Sequence, residues 1–246
     1  MTHRMRLGRL FIATLACGLI GQASISAQQV ETRRVLALRV SFPQEMPDNE
    51  TTSGDGTFDL RTFEEVRTDY RFPFDTPPHN RTYFNAHLQG LTHYFSTVSR
   101  DLLQIQFDIL PAGETDSYVL TRALIDYGNG RTRQEINTRI VELFRDGVLA
   151  ADSAEPGLDF SAYDDVIVIH AGLGGESSNQ LNDVPSAFIN LTDLNTYVEG
   201  PIPVDGGIIT QGILLPESGG TDGRSGLNGI LARFYANQLG LPRLDN

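Results

Sequence analysis

Gly226-Leu-Asn-Gly-Ile-Leu-Ala-Arg233-Phe234-Tyr235-Ala236-Asn237-Gln-Leu-Gly240-Leu-Pro-Arg243-Leu-Asp245-Asn246 is the final stretch of the sequence and has the frame of a helix that ends at a turn glycine. Its spacing is that of a metal-site helix, His-Glu-x-x-His-x-x-Gly-x-x-Asp. In that pattern two imidazoles four residues apart share a helical face, the Glu is the general base, and a third ligand follows the glycine turn. Gly240 keeps its place in the pattern. Arg233 stands at the first His, Phe234 at the Glu, Asn237 at the second His and Arg243 at the Asp.

Zinc takes deprotonated nitrogen, sulfur or carboxylate donors in a tetrahedral arrangement. A guanidinium has donors, no acceptor and a permanent charge, so neither Arg233 nor Arg243 can ligate it. Asn237 offers only a neutral amide oxygen. Phe234 can neither take a proton from a metal-bound water nor orient that water. Arg233, Phe234, Asn237 and Arg243 therefore read as vestigial positions, with no catalytic residue, no metal and no metal-assisted hydrolysis expected.

Working outward, residues 34–42 alternate as a first strand closed by Pro43, and residues 43–78 read as a long surface insertion rich in Pro, Gly, Asp and Thr. Acids between Asp48 and Asp59 could bind calcium, but Ser53-Gly54-Asp55-Gly56 reads as a turn, so calcium has no support in the sequence. A helix is predicted over 79–96 from the three- and four-residue spacing of Tyr83, His87, Gly90, Leu91 and Tyr94. A strand follows at 102–109, then a helix over 132–149 with Ile136, Ile140, Leu143 and Phe144 on one face. Residues 164–170 form a compact apolar run of central-strand type that ends at His170 and enters a glycine loop carrying Glu176. His170 and Glu176 are thus candidate cleft contacts. Short strands near 186–191 and 207–215 lead through a Gly-rich loop to the last helix, which Ser225 is placed to cap.

The first residues carry a different signal. Arg4, Arg6 and Arg9 precede an apolar run over 10–21 and a small-residue zone ending at Ala27. This order is that of a secretory signal over 1–27, too short for a comfortable membrane span. The mature part, 28–246, is then one domain, secreted or extracytoplasmic, with no span left after removal of the signal. Thr14-Leu15-Ala16-Cys17 loosely resembles a lipid-attachment box, and a lipoprotein is the lesser alternative. Removing Arg4, Arg6 and Arg9 from the 19 basic residues leaves 16 against 31 acids, and removes the single cysteine. That balance disfavours nucleic acid as a partner, and no disulfide can form. No Gly-x-Ser-x-Gly elbow and no phosphate-loop ending is present.

Several stretches beyond the last helix, 35–42, 83–98 running into Ser99 and Leu103, 165–172, and Leu215-Pro216-Glu217, resemble the secreted immune-inhibitor-A-type metallopeptidases of bacteria. The resemblance covers most of the mature chain. It implies an α/β (α+β) zincin-like fold, a twisted mixed sheet backed by helices with a C-terminal site helix, and an edge strand able to hold an extended peptide. It also implies two His and an Asp on zinc and a Glu activating water. None of those types stands at Arg233, Asn237, Arg243 or Phe234. Of the mature histidines, His79, His87 and His93 lie eight and six residues apart on one predicted helix, with no pair at the four-residue spacing. The expectation is a metallopeptidase-like protein without hydrolytic activity and without cofactor, binding a peptide or protein ligand in the old cleft. Arg233 and Arg243 are expected either to pair with carboxylates such as Glu176, Glu217 or Asp245 in place of the metal, or to point into water. Two alternatives stay open: an active secreted zinc metallopeptidase with other ligands, and a truncated product without function.

Overall fold

The computed structural model describes residues 29–68, 75–219 and 226–242; the signal segment 1–27, Ser225, Arg243 and Asp245 lie outside them. In chain order the strands are β1 (Glu31–Ser41), β2 (Leu103–Leu110), β3 (Tyr118–Val119), β4 (Asp165–Leu173), β5 (Ala187–Ile189), β6 (Ile202–Val204), β7 (Gly207–Ile209) and β8 (Gly212–Ser218). The helices are α1 (Phe63–Val66), α2 (Arg81–Val98), α3 (Leu124–Gly128), α4 (Arg133–Ala154), α5 (Leu191–Tyr197) and α6 (Leu227–Gln238).

The main sheet runs β2-β1-β4-β8-β5, parallel across the first four strands and antiparallel at the β5 edge, with β3 extending the end of β1. This is a mixed α/β architecture with a mainly parallel sheet between helices. β1 and β4 are its central strands, buried on both faces, which is why their sequences are near-continuous apolar runs instead of strict alternations. Leu36, Leu38 and Val40 of β1 share a face with Val166, Val168 and His170 of β4 by register. α4 covers this face: a Cβ on its Gly147 would meet Val168 and Val40, so only glycine permits so close an approach. The other face carries Arg33, Val35, Ala37 and Arg39 with Asp165, Ile167 and Ile169, and it is covered by α2 and α6.

Local chemistry sets the helix ends. Asn80 accepts from the Tyr83 N–H at 3.0 Å to start α2, and Thr132 with Glu135 forms a reciprocal capping box at α4. After α6 the chain turns at Gly240, φ +86°, with the Gly240 N–H bonded to the Asn237 carbonyl and the Leu241 N–H to the Ala236 carbonyl. That paired closure needs the left-handed residue glycine supplies.

Several expectations are corrected. The predicted helix over 79–96 starts later, because Asn80 is its cap; His79 precedes it and does not share a helix with His87 and His93. The predicted strand over 207–215 is two strands, β7 and β8, with β7 pairing back on β6. Within 43–78, Phe58 and Val66 are buried, Ser53 N–H binds Asp183 at 2.7 Å and Asp59 N–H binds Glu217 at 2.9 Å. This segment is stitched onto the strand ends and is not merely superficial. Its Asp55 bonds the Thr57 N–H and hydroxyl, the use of a turn acid. α1, α3 and α5 lie where no helix was predicted.

Candidate functional site

α6 is seated by two carboxylates from distant parts of the chain. Its N-cap is Gly226, which has no side chain to cap with. Asp75 does the capping: its Oδ2 accepts from the Leu227 N–H at 2.6 Å and from the Gly219 N–H at 3.0 Å, which places a negative charge at the positive end of the helix. Under the other half of α6, Asp165 at the start of β4 accepts from the Tyr235 hydroxyl at 2.8 Å and the Gln238 amide at 2.7 Å. The Arg33 guanidinium of β1 binds both oxygens of the same carboxylate, so the buried charge is matched by a planar fork. Burial, and then the neighbouring Asp165 charge, push the Tyr235 hydroxyl pKa far up, which keeps it a donor.

At the C-terminal end of β8, Glu217 is buried and fully used. Its Oε1 accepts from the Gly172 N–H at 2.8 Å; its Oε2 accepts from the Asp59 N–H and from His79 Nδ1, each at 2.9 Å. His79 Nε2 lies 2.9 Å from the Asp75 carbonyl. Both ring nitrogens therefore face acceptors, the arrangement of an imidazolium donating twice. Burial disfavours this cation, but the charge and hydrogen bond of Glu217 outweigh it and hold the His79 pKa above the ordinary imidazole value. The Tyr83 ring lies between His79 and His87, with centroids 4.6 and 4.4 Å away. His87 Nδ1 bonds the Asn228 side chain at 2.8 Å and Nε2 points at Asp75 from 3.8 Å. Histidine, carboxylate and tyrosine thus tie the start of α6 to α2 and to the end of β8.

The face of α6 turned away from the sheet carries Arg233, Ala236 and Asn237, while Leu231, Tyr235 and Gln238 point inward. Phe234 stands between the two faces and packs against the core. The Arg233 guanidinium lies 5.2 Å above the Phe234 ring, and Asn237 donates to the Leu241 carbonyl at 3.2 Å. These two positions, one turn apart, border an open groove of about 990 Å³ between α2 and α6. Leu91, Tyr94, Phe95 and Val98 of α2 form one wall, and Ala232 and Ala236 of α6 form part of the other.

The spacing expected of a metal-site helix is therefore present, in that positions 233 and 237 share one outward face and a left-handed Gly240 follows. The donors do not fit zinc. Arg233 has no lone pair to give, Asn237 offers only a neutral amide oxygen while its nitrogen donates to the Leu241 carbonyl, and Ala236, Tyr94 and Val98 beside them are not zinc ligands. Among the described residues no group of three or more His, Cys, Asp or Glu side chains is gathered to hold a metal. Arg233 is not paired with Glu176 or Glu217, and the expected pairing with Asp245, like any pairing of Arg243, lies outside the described residues. Glu217 is spent on His79 and two backbone amides, and Glu176 binds the Ser186 hydroxyl and N–H.

His170 and Glu176 are placed away from this groove. His170 is fully buried on the α4 face of the sheet, its ring against Phe42, which packs in turn on Tyr127 of α3. Its Nδ1 bonds the Ala171 carbonyl at 2.8 Å, which fixes the proton there, and burial lowers its pKa so that the ring is neutral. His170 Nε2 and Asp183 Oδ2 are both buried without a hydrogen-bond partner. Glu176 and Asp183 border a separate cavity of about 240 Å³ beside Tyr127. The structure thus brings Arg233 and Asn237 together, and it separates them from His170 and Glu176 by the thickness of the sheet.

Sequence reading missed Asp75, Asp165, Tyr235, Gln238 and the Glu217–His79 pair. The one local clue was the cluster of polar side chains at the ends of apolar runs, Asp165 before β4 and Glu217 after Leu215. No family model matches the chain, and a search of curated proteins finds no relative.

Proposed function

We propose that the chain is a secreted, metallopeptidase-like protein of zincin type that has lost its metal site and hydrolytic activity, and that it acts by binding. The observation that carries this reading is the outward face of α6. It keeps the spacing and the glycine turn of a zinc helix, yet it presents a guanidinium and a carboxamide where two imidazoles are required. The sheet order supports the scaffold, with four parallel strands, an antiparallel edge strand β5, and α6 packed under β8 and β5. The carboxylates of Asp75 and Asp165 hold the helix, so its position needs no metal. The groove between α2 and the outer side of α6 is where a ligand would lie.

Zinc stoichiometry of the purified protein, measured with casein cleavage in the presence and absence of chelator, tests this. The expected result is protein free of zinc and casein left intact in both conditions. One equivalent of zinc together with chelator-sensitive cleavage would establish an active peptidase with other ligands.

A further inference from the structure

The start of α6 is held through a chain of contacts that passes across one buried imidazole. His79 is 1% exposed, and its two nitrogens each lie 2.9 Å from an oxygen that can only accept, Glu217 Oε2 on one side and the Asp75 carbonyl on the other. Only the doubly protonated ring donates to both. A neutral ring keeps one of the two bonds and turns a lone pair towards the other oxygen. Asp75 is in turn the group that caps α6, since its Oδ2 accepts from the Gly219 N–H and from the Leu227 N–H. A proton on His79 therefore stands between the C-terminal end of β8 and the first turn of α6.

The groups around the ring fix the direction of its response to pH. Glu217 faces it from β8, and Asp59, which is paired with Arg61, from the segment before α1. Tyr83 lies against it from α2, with His87 beyond. Burial opposes the imidazolium, but the charge and hydrogen bond of Glu217, the bond to the Asp75 carbonyl and the Asp59 charge favour it, and the pKa is raised. The second proton is therefore held below the ordinary imidazole value of about 6.5 and lost as pH rises through the folded value. His87 titrates in a separate range, because burial lowers its pKa. Its Nδ1 bonds the Asn228 side chain, and its Nε2 stands 3.8 Å from Asp75 Oδ1.

We propose that His79 is a proton-operated tie on α6. Doubly protonated, it fixes residue 75 against the end of β8 and keeps the Asp75 cap in place; once a proton leaves, residue 75 is released and the first turn of α6 opens. Asn228 in that turn lines the groove between α2 and α6 and lies against Gly90 of α2, so the release loosens the groove at the end where the two helices meet. The Asp165 anchor beneath the second half of α6 involves neither His79 nor Asp75 and stays closed. The tie is independent of what the groove holds, and no covalent step is involved.

Amide hydrogen exchange of the purified protein, read residue by residue by NMR between about pH 6 and about pH 9 and expressed as protection factors, tests the proposal. Protection at Gly219 and Leu227 should fall together by roughly tenfold as His79 loses its proton, the worth of one hydrogen bond to a charged group. Protection at Tyr235 and Gln238 should hold. Nitrogen shifts of the His79 ring should show both nitrogens protonated at the acid end of the range and the same midpoint as the two amides. His79→Gln, whose single amide group cannot bridge both oxygens, should show the lowered protection at every pH. If that variant does not fold, Asp75→Ala serves: Gly219 and Leu227 should lose both protection and pH step, while the His79 ring still titrates. A bare nitrogen on His79 at the acid end, loss of protection at Leu227 only in step with Gln238, or a pH step kept in either variant would overturn the proposal.

Discussion

His79 and His170 are both buried and carry opposite protonation. His79 donates from both nitrogens and its pKa is raised, so the folded state holds its proton more tightly than the unfolded chain does. Its contribution is complete below the unfolded imidazole value near about 6.5 and is lost as pH rises through the raised folded value. His170 is neutral with a lowered pKa. As pH falls below about 6.5 the unfolded chain takes up a proton that the folded chain refuses, and stability declines on the acid side. Urea midpoints from about pH 5 to about pH 9 should show both losses. His79→Gln should flatten only the alkaline limb, and a variant that left that limb unchanged would contradict the assignment. Glu217→Gln leaves the His79 cation buried without its counter-charge and should cost about 3 kcal/mol or more. Arg233→Ala, on the exposed face of α6, should cost less than about 1 kcal/mol. The apolar run at 164–170 marks a central strand, but it does not tell which face of the sheet His170 joins. Alternation along a strand orders neighbours relative to one another, but which helix covers which face is decided by packing elsewhere in the chain.

α6 is held at its start by Asp75 and beneath its second half by Asp165. Neither contact is local, the bonds to Leu227 and Gln238 spanning 152 and 73 residues of chain. Helix and strand periods repeat every two to four residues and could be read directly, which is why the major helices and the central strands were legible with shifted ends. A cap supplied from an earlier loop leaves no such period, and Ser225 therefore looked like the cap when Gly226 occupies that position. Asp75→Ala should lower stability by about 1 kcal/mol and raise amide hydrogen exchange at Leu227 relative to the middle of α6; unchanged protection would show that the cap is dispensable. Tyr235→Phe removes a hydrogen bond to a buried carboxylate and should cost about 1.5–3 kcal/mol by denaturant unfolding. A neutral result would mean that Gln238 and Arg33 satisfy Asp165 by themselves.

At the scale of the whole molecule, a mainly parallel sheet covered on both faces supplies a continuous core reaching from Leu36 and Val168 to Phe144 on one side and to Phe95 and Tyr235 on the other. Arg233 and Asn237 stand on the side of α6 opposite the buried Leu231, Tyr235 and Gln238, so changes at these two positions alter the chemistry of that surface more than the packing of the core. Acid-rich composition was legible from the sequence, but the groove beside α2 was not, because it exists only where two helices from distant parts of the sequence come together. The most direct measurement is elemental analysis of the folded protein after exposure to excess zinc and gel filtration. Protein that emerges without zinc and unfolds at the same temperature with or without chelator is the outcome expected of a helix seated by Asp75 and Asp165. One retained zinc per chain, whose removal lowers the unfolding temperature, would contradict it.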